Sequence, residues 1–339
     1  MDTIGKSSLR AAVVGLGAMG RHHARICAEM AEVELVAVAD PDPAALSQAI
    51  ARHHTRGFSD YRAMLEAEKP DFVSLAVPTR LHYSIASDLI ERGIHVLVEK
   101  PIAISVEEGR KLIEQARVCG VKLSVGHVER FNPVVVALKQ HLDEGRLGRL
   151  FHISVRRISG FPPRVQDVGV AVDLATHDLD VMRHLVGAEV TRVSAETLQA
   201  LDRPYEDMLC GLLRFGNGVL GLLNVNWLSP IKIRELMVLG ERGMFMVNYL
   251  TQDLHFYENG PQDSNWESIQ VFRGVSEGQM IRYPVSRREP LRMELESFVD
   301  SLQKDKPFPV SGNDGLQALV LAHLLVEAGQ QGSNLCLGP

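Results

Sequence analysis

Residues Leu9 to Met30 read LRAAVVGLGAMGRHHARICAEM: an apolar run, a glycine-rich turn, then a segment of helical periodicity. Gly15, Gly17 and Gly20 match GxGxxG. Each glycine has a mechanical job there: a tight turn, close approach of backbone to a pyrophosphate, and close packing of helix on strand. The turn from Gly15 through Leu16, Gly17, Ala18 and Met19 to Gly20 would offer backbone N–H groups and the positive end of a helix to phosphate. Glycine-rich turns are common, so the next segment decides. A second apolar run, VELVAVAD, ends in Asp40, twenty residues after Gly20. A carboxylate at that spacing accepts hydrogen bonds from the ribose hydroxyls of a bound dinucleotide. It would also repel a 2′-phosphate, and Pro41 and Asp42 supply no cation, so NAD is expected over NADP.

The alternation continues outward. DFVSLAVP reads as a strand, HYSIASDLIERG as a helix closed by Gly93, and HVLVEKP as a strand. SVEEGRKLIEQARVCG follows as a helix whose Ser105 and Glu108 fit a capping box, and VKLSVG is one more strand. Residues 1–125 are therefore expected to form an N-terminal Rossmann domain, a doubly wound parallel sheet whose ligand lies beyond the carboxyl ends of the strands. Three loops sit at that edge: Val77–His82, Glu99–Pro101 and Gly126–Pro133. Pro101 restricts Lys100 to an extended backbone. A lysine ending a buried strand would be aimed at the crevice; the plainer alternative is a surface lysine with its stem laid on apolar neighbours.

From residue 126 the pattern changes. After a helix around PVVVALKQHLDEG come strand-like runs: LFHISVRRI, VTRVSAETL, MLCGLLRF, VLGLLNVNWL, RELMVLGERGMFMVNYL and DLHFYENG. Gly216–Asn217–Gly218 signals a hairpin between two of them. Two helices close the chain, LRMELESFVDSLQ and DGLQALVLAHLLVEAG. Residues 126–339 are expected to form a C-terminal α+β domain, an open and mostly antiparallel sheet with helices on one face. A bare second face would expose too much apolar area for a monomer, so homo-oligomerisation through it is expected, as a dimer or a tetramer.

One helix interrupts the strands. In DLATHDLD, Asp173, His177, Asp180 and His184 recur at helical spacing beside an apolar stripe of Val172, Ala175, Leu179, Met182 and Val186. An i,i+4 Asp–His pair on a solvated face is worth only a few tenths of a kcal/mol (about 0.2–0.5), and by itself would need no functional reading.

Composition sets limits. The 339 residues are 45% apolar and 23% charged, ordinary for a globular protein of two domains. A net charge of −6 leaves no basic surplus to displace counterions, which argues against a nucleic-acid partner. Cys27, Cys119, Cys210 and Cys336 form no metal-binding pattern, and His22–His23 and His53–His54 lack further ligands at metal spacing. No metal is expected; His23 is expected to face the glycine loop and the other three to lie on the surface. No run approaches the roughly 20 apolar residues that span a bilayer, and a cytoplasmic protein is expected, without a membrane partner.

Taken together, GLGAMG, AVAD, EKP, GHVERFNP, DLATHDLD and DGLQAL resemble the glucose–fructose oxidoreductase and inositol dehydrogenase (Gfo/Idh/MocA) family, in order and over nearly the whole chain. The resemblance implies a Rossmann domain followed by an open-sheet domain. It also implies that the lysine of EKP and an aspartate and histidine four apart line the nicotinamide pocket; these map to Lys100, Asp173 and His177. By the same resemblance Val77, Pro78, Thr79 and His82 border the nicotinamide ribose; Glu99, Lys100 and His127, at the ends of parallel strands, are expected at the cofactor edge. Within the family, GHVERFNPVVVAL, DVGVAVDLATHDLD and NWLSPIKIRELMVLGERGMF look most like its UDP-N-acetylglucosamine 3-dehydrogenases, which oxidise the C3 hydroxyl to a ketone, commonly ahead of an aminotransferase that makes a 3-amino sugar for cell-envelope glycans.

Oxidising a secondary alcohol requires a base of pKa near working pH, which histidine supplies most directly. His177 is assigned as base, Asp173 as the group that orients it, and Lys100 as the donor that stabilises developing alkoxide charge. Lys100 with a depressed pKa could instead be the base. Arg164, Lys232 and Arg234 are nominated for the diphosphate of a UDP-sugar, because guanidinium groups bond phosphate bidentately. His127, Glu129 and Arg130 are candidate pocket residues, against a structural Glu129–Arg130 pair. Trp227 could stack on a base, though a lone tryptophan in an apolar strand is more often core. Two rivals stand beside this reading: an inositol or free-hexose dehydrogenase, needing no diphosphate cations, and a non-catalytic NAD-binding regulator.

Overall fold

A computed structural model describes residues 8–162, 168–260 and 277–337. They fall into two compact units: residues up to Val128 together with Pro290–Leu319, and Glu129–Glu289 together with Val320 onwards.

In the first unit the order is β1 (Leu9–Val14), α1 (Gly20–Glu29), β2 (Val33–Ala39), α2 (Pro43–His53), β3 (Arg56–Phe58), α3 (Tyr61–Glu68), β4 (Phe72–Leu75), α4 (His82–Glu91), β5 (His95–Glu99), α5 (Val106–Cys119) and β6 (Leu123–Gly126). The strands form one parallel sheet in the order β3-β2-β1-β4-β5-β6. Their apolar runs are near-continuous because both faces of a parallel sheet are covered by helices. Strand order reverses between β1 and β4, so the loops after these two strands flank the crevice where ligands of such sheets bind. Ser105 accepts a hydrogen bond from the Glu108 N–H at 3.2 Å and starts α5 as the capping pattern predicts.

In the second unit α6 (Pro133–Asp143) precedes β7 (Leu150–Gly160), α7 (Thr176–Val186), β8 (Val190–Leu198), β9 (Met208–Phe215), β10 (Leu220–Asn226), β11 (Leu228–Gly240), β12 (Gly243–Asn248), β13 (Asp253–Asn259) and β14 (Glu277–Tyr283). Along the chain then come α8 (Pro290–Gln303) of the first unit, α9 (Gly312–Gln331), which passes into the second unit at Val320, and β15 (Leu335–Cys336). Among the described residues nine strands form one sheet, β14-β13-β12-β11-β7-β10-β9-β8-β15. Within it β7 and β10 run parallel and the other pairs are antiparallel. Asn217 and Gly218, the latter at φ 87°, turn the β9–β10 hairpin.

Helices cover one face of this sheet: Val134 and Leu138 of α6, Leu179 and Met182 of α7, and Leu321 and Leu325 of α9 join one buried cluster with the inward strand residues. The strand registers set two rows across the other face. One runs Leu220, His152, Leu239, Met244, Tyr257 and Met280; the next runs Leu212, Leu222, Ser154, Met237, Met246 and His255. Leu212 is 58% exposed and Met280 61%.

Three differences from the sequence-based expectation follow from contacts that periodicity cannot name. Residues 290–319, expected within the second domain, belong to the first unit. There Leu291, Leu295, Phe298 and Val299 of α8 pack with Ile26, Cys27, Phe72 and Leu97, and Phe72 meets Phe298 edge-on at 5.2 Å. The run RELMVLGERGMFMVNYL is two strands, β11 and β12, joined by a two-residue turn at Glu241–Arg242. Between Asp40 and Phe72 stand three elements, α2, β3 and α3, that the apolar pattern does not announce, β3 being three residues long. No helix among the described residues is long and apolar enough to cross a membrane.

Candidate active site

In the first unit the glycine turn is built as its spacing predicts. A Cβ on Gly20 would lie 1.8 Å from the Gly15 carbonyl oxygen, and one on Gly15, at φ 89°, would lie 2.5 Å from the Ala76 carbonyl oxygen. Gly17 faces open space. Here lies a cavity of about 630 Å³, lined by Gly15, Gly17, Asp40, Val77 and Pro78 among others. That volume suits a small-molecule site. Asp40 is half-buried, and its carboxylate accepts from the Leu16 N–H at 2.6 Å and the Asp42 N–H at 2.8 Å. The cavity is also lined by Ser59, Asp60, Tyr61 and Arg62, which sequence reasoning misses because they follow the short β3. Asp60 caps α3 by accepting from the Arg62 N–H at 3.0 Å, which sets Tyr61 and Arg62 at the cavity wall. The turn, the cavity and Asp40 fit the diphosphate and adenosine of a dinucleotide.

Thr79 opens a single 3₁₀ turn, Thr79–Leu81, ahead of α4. His82, expected at the nicotinamide ribose, does something else. It is 1% exposed, with Nδ1 2.7 Å from the Pro101 carbonyl and Nε2 3.0 Å from the Val77 carbonyl. It braces two loops instead of fronting the cavity. Lys100 follows β5 and is joined to Pro101 by a cis peptide bond. Glu99 is buried; its Oε1 lies 2.9 Å from His23 Nε2 and its Oε2 accepts from the Lys100 N–H at 3.2 Å. Burial works to raise the Glu99 carboxyl, but His23 and Lys100 hold it below the ordinary range. His23, expected to face the glycine loop, is fully buried against β4 and β5, where Ser74 Oγ lies 2.7 Å from its Nδ1. His127 is buried just after β6.

In the second unit Asp173 lies in a single π-helical turn, Ala171–Ala175, that runs directly into α7, so Asp173 and His177 straddle a change of helix type. Such bulges recur at functional sites. Asp173 is buried and His177 half-buried. The polar stripe predicted on this helix is not solvated. Asp180 is fully buried and takes a bidentate pair from Arg130, at 2.6 Å on both oxygens. Asp178, outside the predicted stripe, takes Arg157 at 2.7 and 2.9 Å.

Arg130, nominated for substrate, therefore grips α7 and is 8% exposed. Glu129, the other pocket candidate of this segment, is buried and holds Arg157 at 3.0 Å and Arg234 at 3.3 Å. Burial would raise the Glu129 carboxyl, yet Arg157 and Arg234 keep it below its usual range. Arg234 keeps 30% of its side chain exposed. Its proton is held less tightly than usual, first through burial and then through Arg157, with Asp178 and Asp173 acting the other way. Lys232 is exposed, and the Arg234 charge lowers its pKa. Arg164 lies outside the described residues. Trp227 is core: 2% exposed, edge-on to Phe161 at 5.5 Å, under the Arg203 guanidinium at 5.0 Å. Among the described residues no His, Cys, Asp and Glu cluster could hold a metal ion.

Residues 9–127 match the profile described as "Oxidoreductase family, NAD-binding Rossmann fold", and residues 139–337 match "Oxidoreductase family, C-terminal alpha/beta domain". The chain is similar to the UDP-N-acetylglucosamine 3-dehydrogenase of Acidithiobacillus ferrooxidans, 27% identical over 93% of this chain and 95% of that protein. The solved structure of that enzyme superposes with a TM-score of 0.83, covering 96% of this chain and 99% of the other. It is also similar to the inositol 2-dehydrogenase of Rhizobium meliloti, 27% identical over 95% of this chain and 97% of the relative. The WlbA dehydrogenase of Bordetella pertussis, solved in complex with NADH and UDP-GlcNAcA, is 26% identical, with a TM-score of 0.83 and 99% of each chain covered.

Proposed function

Since the chain belongs to the Gfo/Idh/MocA oxidoreductase family and is an NAD-dependent dehydrogenase acting on a sugar or polyol, we propose that its substrate is a UDP-sugar, UDP-N-acetylglucosamine, oxidised at C3 to the 3-keto sugar in the cytoplasm. The observation that carries this reading is the pairing of charge in the second unit. Lys232 and Arg234 put two cations on β11; Lys232 is exposed, and Arg234, 3.3 Å from Glu129, keeps 30% of its side chain open. A neutral inositol offers such cations only uncharged hydroxyl oxygens; a nucleotide sugar brings the charge of a diphosphate.

Gly15 to Gly20 and the start of α1 would hold the cofactor diphosphate, Asp40 the adenosine ribose, and Val77, Pro78, Thr79, Glu99, Lys100 and His127 the nicotinamide end. When bound, NAD supplies the ring that accepts hydride from the sugar carbon. His177 takes the hydroxyl proton, a contribution of roughly 10²- to 10⁴-fold. Asp173 steadies the imidazolium, and Lys100 donates a hydrogen bond to the oxygen as charge builds on it. The ketone product suits a pyridoxal-type aminotransferase as consumer, which would deliver a 3-amino sugar. The bare sheet face of the second unit is assigned to pairing with further copies of the chain.

NADH formation with UDP-N-acetylglucosamine, myo-inositol and glucose tests the substrate. Turnover of the UDP-sugar alone is expected, with the KM for it rising at least tenfold in Arg234→Ala. Turnover of myo-inositol, unaffected by that change, would overturn the assignment. Trapping the product with a 3-aminotransferase and locating the amine by NMR tests the position.

A further inference from the structure

The Glu99–Lys100–Pro101 segment is held from both sides by buried histidines that the proposed reaction does not use. On one side is a chain of three groups within the first unit. A carboxylate can only accept, so the 2.9 Å contact to Glu99 Oε1 assigns the proton to His23 Nε2. His23 Nδ1 lies 2.7 Å from Ser74 Oγ, a hydroxyl that donates to it in the neutral tautomer. One rigid ring thus makes both contacts, with His23 0% and Ser74 0% exposed. The other Glu99 oxygen accepts from the Lys100 N–H at 3.2 Å. On the other side, His82 Nδ1 lies 2.7 Å from the Pro101 carbonyl.

We propose that His23 is a positioning residue for Lys100. Through Glu99, and backed by Ser74, it fixes the backbone from which the lysine projects toward the reacting oxygen. Without the His23 bond the Glu99 carboxylate would lose one of its two anchors and turn about its own χ angles. The Lys100 N–H would lose a fixed acceptor, and the ammonium would sample positions that donate poorly to the alkoxide. An error of about 1 Å in such a group costs on the order of 10²-fold in rate. Histidine suits a buried position between Ser74 and Glu99 because it carries a donor and an acceptor on opposite edges of one rigid ring. Asparagine or glutamine places both on one carbon.

The inference rests on Lys100 serving the reacting oxygen, so the test is a double-mutant cycle read alongside a measurement that needs no turnover. His23→Ala is expected to lower kcat tenfold or more in the native background, with KM for the UDP-sugar within threefold, and to move the alkaline limb of the kcat–pH profile. In a Lys100→Met background the same change should lower kcat less than twofold, because residues acting through one another are not additive. His23→Gln, which keeps a donor for Glu99, should recover part of the loss. Equal fold-losses in the two backgrounds would mark His23 as merely structural and overturn the proposal. Should His23→Ala fail to fold, Ser74→Ala is put through the same cycle and judged by the same rule. If the native enzyme oxidises no sugar, the substrate reading fails by itself. The positioning claim is then decided by the pH dependence of acylation at Lys100, followed by peptide mass spectrometry with Lys111 as control. A shift of the Lys100 midpoint in His23→Ala supports it, and an unmoved midpoint overturns it.

Discussion

Asp40 commits both carboxylate oxygens to backbone before any ribose arrives, one to the Leu16 N–H and one to the Asp42 N–H. The residue proposed to hold the adenosine ribose therefore also fastens the glycine turn to β2. Asp40→Ala removes a charged acceptor, and hydrogen bonds to charged groups are worth about 1.5–3 kcal/mol, or roughly 10- to 100-fold in affinity. A rise of that size in the dissociation constant for NAD is expected by calorimetry, with a smaller change for NADP, which no longer meets a carboxylate. Equal weakening for both cofactors would show that Asp40 serves only the turn. At this scale the sequence is legible wherever the signal is local. Gly15, Gly17, Gly20 and Asp40 fall within one strand–turn–helix–strand run, and the family resemblance adds Lys100, Asp173 and His177. It is illegible wherever a partner lies far along the chain: His23 and Glu99 are 76 residues apart, and nothing in either segment names the other.

Helix α7 shows the same limit for an element. Its apolar stripe is readable from the 3.6-residue period, and Leu179, Met182 and Val186 are buried as that period demands. The aspartates on its other sides could equally have faced water. What buries them is a pair of arginines from elsewhere, Arg130 on Asp180 and Arg157 on Asp178. The π-helical turn at its start is unreadable too, because no composition rule separates it from α-helix. Removing one partner of a buried ion pair strands the other charge, at about 3–5 kcal/mol. Arg130→Met is accordingly expected to lower the denaturant midpoint of unfolding strongly. Arg130→Met with Asp180→Leu should recover much of the loss, since a well-packed apolar pair can replace a buried ion pair. Additive losses in the double variant would argue that the pair orients α7 through contacts that apolar packing cannot supply.

Across the whole molecule, acid is the expected weak point. In the first unit burial lowers the pKa of His82 and His95, and in the second it lowers those of His141, His152 and His323. A histidine depressed in the folded state binds its proton more readily when unfolded. Between its folded pKa and the ordinary value near 6.5 the unfolded chain therefore carries more protons, and stability falls as pH falls. Glu99 and Glu129, also depressed when folded, act in the same direction below the ordinary carboxylate value near 4.3. A melting temperature lower at pH 5.5 than at pH 7.5, with a second drop below pH 4.5, is expected by calorimetry; a flat profile would mean that these histidines titrate alike folded and unfolded.

The bare face of the nine-stranded sheet sets the final expectation at this scale. Period-two alternation predicts an inward apolar set, but it also leaves Leu212, Leu222, Met237, Met244, Met246 and Met280 on the outward rows. Methionine is flexible and polarisable, so five such side chains at a face-to-face contact, Met208 included, would adapt to a second copy of the same surface. Apolar area of that continuity is uncommon on a monomer. Leu222→Glu with Met246→Glu places two carboxylates in one row across the face, and a second copy of the variant surface would set like charges against them. Sedimentation velocity should find the native chain as a dimer or larger and the double variant as a monomer with its circular dichroism unchanged. A native chain that sediments as a monomer at micromolar concentration would remove the sheet face from any role in assembly.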